Sequence, residues 1–147
     1  MPDINPILDA TKIQNGTYGE VWWDAEYLCE AKGIDIKDEF EKEVVKVVRS
    51  MRAKHKVTSM EGKGSLTLYK VNSFAIRKLK DFCTGSVAEP RFTLMTNLED
   101  PSGLGSERII YNGVSFDDLT WIKTEVGTLG EIELPFTYES VEIVSLI

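Results

Sequence analysis

Apolar and polar residues alternate with a period of two in several separate stretches of this 147-residue chain, and only one stretch keeps a helical period. Residues 18–24 hold Val21, Trp22 and Trp23 and predict a strand. Further on, Ile34, Ile36 and Phe40 alternate with the charged Asp35, Lys37, Glu39 and Glu41, which predicts a strand with one wet face. Residues 41–51 fit either a short helix or a strand. Val44, Val45, Val47 and Val48 tilt the reading to strand, because β-branched side chains lose freedom in a helix. Met60-Glu61-Gly62-Lys63-Gly64 is read as a turn or a flexible strand segment, and Leu66 and Leu68 then share one face of a strand over 65–71.

The helical stretch is 73–83, where Ala75, Ile76, Leu79, Phe82 and Cys83 form a stripe. Asn72 or Ser73 is placed to cap it, and Gly85 to stop it in a left-handed conformation. Strands are predicted over 90–99 and 108–116, with a loop at 100–105. Residues 119–126 and 131–144 read as a hairpin around Gly127-Thr128-Leu129-Gly130. In its second strand the apolar positions change parity after Tyr138, which calls for a bulge or bend near Ser140. Residues 1–16 hold Pro2, Pro6 and Gly16 and predict an arm that is ordered only if something holds it.

Length and composition fit one soluble globular domain, 42% hydrophobic and 28% charged. The net charge of −7 disfavours nucleic-acid binding, which needs clustered lysine and arginine. The chain lacks an apolar run long enough to span a bilayer, and its first residues lack the pattern of a signal peptide, so folding in a cytosol is expected. In that reducing setting Cys29 and Cys83 are expected to be buried thiols.

Candidate chemistry is sparse. His55 is the sole histidine, stands between Lys54 and Lys56, and reads as solvated. Gly62-Lys63-Gly64-Ser65 has neither the earlier glycine nor the following helix of a phosphate loop. The carboxylates Asp38, Glu39, Glu41 and Glu43 are split between two strand faces and interleaved with lysine. Trp22 and Trp23 point to opposite faces, one to the core and the other to the surface or to a contact. Charge is unevenly spread. Lys46, Arg49, Arg52, Lys54 and Lys56 occur without an acid between them, whereas Asp117, Asp118, Glu125, Glu131, Glu133, Glu139 and Glu142 face the single base Lys123. A positive patch on one copy meeting a negative patch on the next is the functional reading of this asymmetry.

From Gly62 to about Val144 the sequence resembles the tail tube proteins of contractile-tailed phages, defective prophages and phage-tail-like bacteriocins. The resemblance rests on Gly64-Ser65-Leu66-Thr67-Leu68-Tyr69-Lys70-Val71, Pro90-Arg91-Phe92-Thr93-Leu94, the run from Gly105 to Asp117, and Glu131-Ile132-Glu133-Leu134-Pro135-Phe136-Thr137-Tyr138-Glu139. It implies a single tail-tube domain over 1–147, with 1–16 as an arm. The implied fold is mainly β, an antiparallel sandwich or half-open barrel with one packed helix at about 73–83. Long hairpins would join neighbours in a ring, which removes unpaired strand edges.

The implied function is structural, without catalytic site or cofactor. Hexameric rings would stack into the inner tube of a virion or tail-like particle built in the host cytoplasm. The implied partners are other copies, the tail sheath protein, and the baseplate and tail terminator proteins, with DNA only in transit and no membrane. Two site expectations follow: contact between copies or with the sheath through Lys46, Arg49, Arg52, Lys54 and Lys56, and a lumen lined by Glu125, Glu131, Glu133, Thr137 and Glu139. The alternatives are a ring protein like that of type VI secretion and a monomeric β-sandwich binding module. A small hydrolase is disfavoured by the missing second histidine.

Overall fold

Period-two alternation does become strands. The computed structural model describes residues 5–85 and 87–147. Residues 1–4, the start of the expected arm, lie outside the described residues. The elements are β1 (Gly19–Trp23), β2 (Glu26–Tyr27), β3 (Ala31–Val45), β4 (Lys54–Tyr69), α1 (Phe74–Cys83), β5 (Phe92–Leu98), β6 (Glu107–Phe116), β7 (Glu131–Tyr138) and β8 (Ser140–Ser145). All pairings are antiparallel, in the order β2-β1-β5-β6-β7-β4-β3, with β8 also on β6.

The predicted parity change is a bend at Glu139. Before it, β7 pairs with β4 and with the end of β6; after it, β8 pairs with the first half of β6. One continuous run thus crosses from the β3-β4-β7 layer to the β1-β5-β6 layer. The sheet does not close: β1 and β3 leave an opening of about 540 Å³ lined by Glu20, Val21, Ile34, Ile36, Asn97 and Tyr111. This half-open sandwich is the expected fold class.

Trp23, Leu66, Leu94, Val114, Leu134 and Phe136 are the largest fully buried side chains. Helix α1 covers one side through Ala75 and Leu79, and Phe74 meets the Trp23 ring edge-on at 5.3 Å. Asn72 Oδ1 accepts the Phe74 N–H at 3.0 Å, and Gly85 takes φ +80° after the last turn. Phe82 and Cys83, placed in the predicted stripe, are exposed instead, because the helix touches the sheet along a narrower seam. Cys29 is exposed too, so neither thiol is buried as expected. Trp22 is half-buried, with the Arg108 guanidinium 5.6 Å from its ring.

The arm has a holder. Asp100 is buried, its Oδ2 accepts the Asn15 N–H at 2.9 Å, and its own N–H donates to Gln14 Oε1 at 3.1 Å.

Gly62 and Gly64 lie within β4, not in a turn. They stand opposite Tyr138 and Phe136, whose rings fold over them. A Cβ on Gly64 would lie 2.5 Å from the Phe136 ring and 2.9 Å from the Asp35 carbonyl. Gly64→Ala is expected to cost about 1–3 kcal/mol of overpacking strain, read as a lower urea midpoint with unchanged slope. An unshifted midpoint would mean the ring moves aside freely.

Candidate assembly surface

Strands β3 and β4 pair along almost their whole length, but β7 accompanies β4 only from Gly62 to Tyr69. Beyond the opposed pair Asp38 and Gly62 no third strand joins the hairpin among the described residues. It projects from the body with every residue from Lys37 to Glu61 exposed. Its paired part is about 25 Å long at roughly 3.3 Å per residue. Among the described residues no strand pairs with the outer edge of β3. At the root, the Tyr138 hydroxyl donates to Asp38 Oδ1 at 2.6 Å, and the Tyr111 ring stacks edge-on against Tyr138 at 5.4 Å. Burial first, and then the bond to Asp38, push the Tyr138 phenol far above its ordinary value.

The two faces of the projection differ. The face that continues the core carries Phe40 opposite Met60, Lys42 opposite Val57, and Val44 opposite His55. Phe40 is 58% and Met60 65% exposed, so among the described residues nothing covers this apolar face. The other face is ionic: Lys63 Nζ lies 3.3 Å from Glu39 and 3.7 Å from Glu61, and Lys37 lies 3.6 Å from Glu39. The Lys63 and Glu39 partnership, hydrogen bond first, raises the lysine pKa and lowers that of the carboxylate.

All five bases expected to make contacts gather at the far end of this hairpin. Lys46, Arg49 and Arg52 lie in the connection between β3 and β4, Lys54 and Lys56 at the start of β4, and all are exposed. Arg49 has φ +68°, a left-handed conformation that favours glycine.

The residues expected to line a lumen do not form one group. Glu131, Glu133 and Thr137 share the β7 face opposite Ile132, Leu134 and Phe136. Glu131 is paired with Lys32 at 2.8 Å, and Glu133 accepts from Ser65 Oγ at 2.9 Å. Glu139 sits at the bend, packs against Gly113 and lies 3.7 Å from Arg91. Glu125 is on no strand: the predicted strand over 119–126 is a loop, so the predicted hairpin does not form. That loop exposes Trp121, Ile122, Val126 and Leu129. Strand propensity misread this stretch because propensity does not supply a pairing partner, and among the described residues no strand pairs with it.

His55 is exposed. Among the described residues no three His, Cys, Asp or Glu side chains are grouped to hold a metal ion, and no helix is long and apolar enough to cross a membrane. The projecting apolar face was carried in the sequence by the even positions of β3, yet period-two patterning also describes a covered strand.

A domain whose longest hairpin leaves its own sheet, with bare edges and a bare apolar face, defines a protein built to meet other chains. Residues 7–145 match the family described as phage tail tube protein, and the chain belongs to that family. It is 32% identical over 139 residues to the phage-like element PBSX protein XkdM of Bacillus subtilis strain 168, an alignment covering 91% of this chain and 94% of the relative. The uncharacterized protein YqbM of the same strain matches to the same extent. The fold is also that of chains in the tube-terminating cap of the anti-feeding prophage (TM-score 0.65, 12% identity, 99% and 97% of the two chains covered). A chain in the sheath-tube complex of an extracellular contractile injection system, PVC, shares it as well (TM-score 0.65, 9% identity, 88% and 90% covered). The protein is a structural component of a phage tail or tail-like particle.

Proposed function

We propose that this chain assembles with itself into hexameric rings that stack into the inner tube of a contractile tail or tail-like particle, and that it catalyses no reaction. The observation that carries this reading is the projecting β3–β4 hairpin. Its outer backbone edge and its Phe40, Val44, Val57 and Met60 face lack partners among the described residues of the copy. A neighbouring copy in a ring supplies both a strand for the edge and a cover for the face. The phage tail tube family supports the reading. The sheath protein on the outside and baseplate and terminator proteins at the two ends complete the set of partners. Assembly takes place in the host cytoplasm.

The bore is assigned to the ionic face, with Glu131, Glu133 and Thr137 on it and Glu125 beside it. Glu139 joins it only if its contact with Arg91 opens. Lys32, Lys37 and Lys63 temper the charge of that face. A bore of mixed, mainly acidic character does not hold nucleic-acid phosphates, so a passing strand slides.

Purified protein, alone or primed with a preformed end, is expected to give rings or tubes by negative-stain microscopy. Hydrogen exchange over Ala31–Val45 and Lys54–Tyr69 is expected to slow in the tube relative to the monomer. Equal exchange in both states would remove the hairpin from the interface. A tube reconstruction with Glu131 and Glu133 turned outward would move the bore to another face.

A further inference from the structure

Two exposed surfaces of opposite charge lie at opposite ends of β4. At its start is the hairpin tip, residues 46–56, with five bases, no acid, and Val48 and Met51 89% and 105% exposed. At its end is the loop over 117–130. Its last residue, Gly130, accepts the Lys70 N–H at 2.7 Å, beside the pairing of Tyr69 with Glu131. This loop carries Asp117, Asp118 and Glu125 against Lys123 alone, and exposes Trp121, Ile122, Val126 and Leu129. The Asp117 N–H donates to the Pro135 carbonyl, opposite Ser65, so even the nearest parts of the two surfaces, Lys56 and Asp117, are nine residues of β4 apart, about 30 Å at roughly 3.3 Å per residue. The surfaces cannot meet within one copy, and a contact between them is head-to-tail, the kind that repeats from copy to copy.

Two further observations single out these segments. The loop is fourteen residues long without regular structure, a length that in a domain of this size marks a functional segment. Thr120, Trp121 and Ile122 are residues that strands favour, yet 117–130 forms no strand in the single copy. At the tip, Arg49 keeps its charged side chain in a left-handed conformation that glycine would adopt without strain.

We propose that the tip of one copy, residues 46–56, docks on the 117–130 loop of the next copy. Val47, Val48 and Met51 pack against Trp121, Ile122 and Val126 at the centre, and Arg49 and Arg52 face Asp117 and Asp118 at the rim. The apolar centre holds the contact and the rim charges select and steer it. This deepens the tube reading and rests on it.

The test uses the full chain in three variants: Arg49→Glu with Arg52→Glu, Asp117→Lys with Asp118→Lys, and all four together. Circular dichroism reports folding, and pelleting with negative stain reports assembly. Each double variant is expected to stay folded and lose assembly at least tenfold, and the fourfold variant to recover most of it. A folded fourfold variant that stays unassembled overturns the pairing. So does a double variant that assembles like the original chain, including one that loses only a sheath or other foreign partner; the tube reading then still stands. An original chain that never assembles overturns both. A second measurement serves if a charge variant misfolds. With Cys29→Ser and Cys83→Ser, a chain carrying Met51→Cys and Val126→Cys is expected to oxidise into a ladder of dimers, trimers and higher species under assembly conditions. Monomer alone would overturn the proposal.

Discussion

Replacing residues 39–61 by a two-residue Asn-Gly turn is expected to give a chain that folds and does not assemble. Asp38 and Gly62 are directly opposed, so a two-residue turn of the type favoured in hairpins joins them. The cut keeps the Tyr138–Asp38 bond at the root and every buried core residue. The removed residues are all exposed and form strand pairs only with each other; the cut also loses the ion pairs of Glu39 and Glu61 with Lys37 and Lys63, which at the surface contribute little. Monomer stability is therefore expected to change by no more than about 1 kcal/mol, checked by thermal and urea unfolding. The loss falls on assembly, because the projecting hairpin holds the free edge and the bare apolar face. Tubes from the shortened chain would show that the hairpin is dispensable and that another edge joins the copies.

The largest effect on folding is expected at Trp23. Its ring is fully buried and lies 4.6 Å from Phe116, 5.2 Å from Phe92 and 5.3 Å from Phe74. It therefore ties β1, β5, the end of β6 and α1 into one cluster. Trp23→Ala removes that hub and is expected to cost about 3–5 kcal/mol, a large share of the roughly 5–15 kcal/mol that holds an ordinary domain together. Trp23→Phe is expected to cost much less than its lost volume implies. The indole Nε1–H is buried without an acceptor among the described residues, and removing such an orphan donor recovers about 1–3 kcal/mol. Urea unfolding of both variants checks the pair. A loss below about 1 kcal/mol for the alanine variant would contradict the hub role.

Local patterns carried much of the architecture. Stripe, cap and stop placed α1 within a residue, since Asn72, Ala75, Leu79 and Gly85 act over a few positions. Alternation placed β5, β6 and β7, and the slip in parity after Tyr138 foretold the bend at Glu139. The basic run was legible as a cluster because its members are neighbours in sequence and the tip of one hairpin keeps them so. The projecting apolar face was not legible as a surface. Phe40 and Val44 obey the same alternation as Ile34 and Ile36, and only the latter pair packs against the core.

By itself, then, the sequence determined what depends on near neighbours: which stretches extend, where the helix starts and stops, and where charge gathers. The tertiary structure alone decided what depends on the element across the sheet. It ended β7 opposite Gly62, so the rest of β3 and β4 stands free. It left 119–126 a loop outside the sheet, turned Glu139 towards Arg91, and kept Cys29 and Cys83 at the surface. Strand pairing joins residues far apart in sequence, and a side chain is buried or bare according to what lies across from it, which local alternation does not encode.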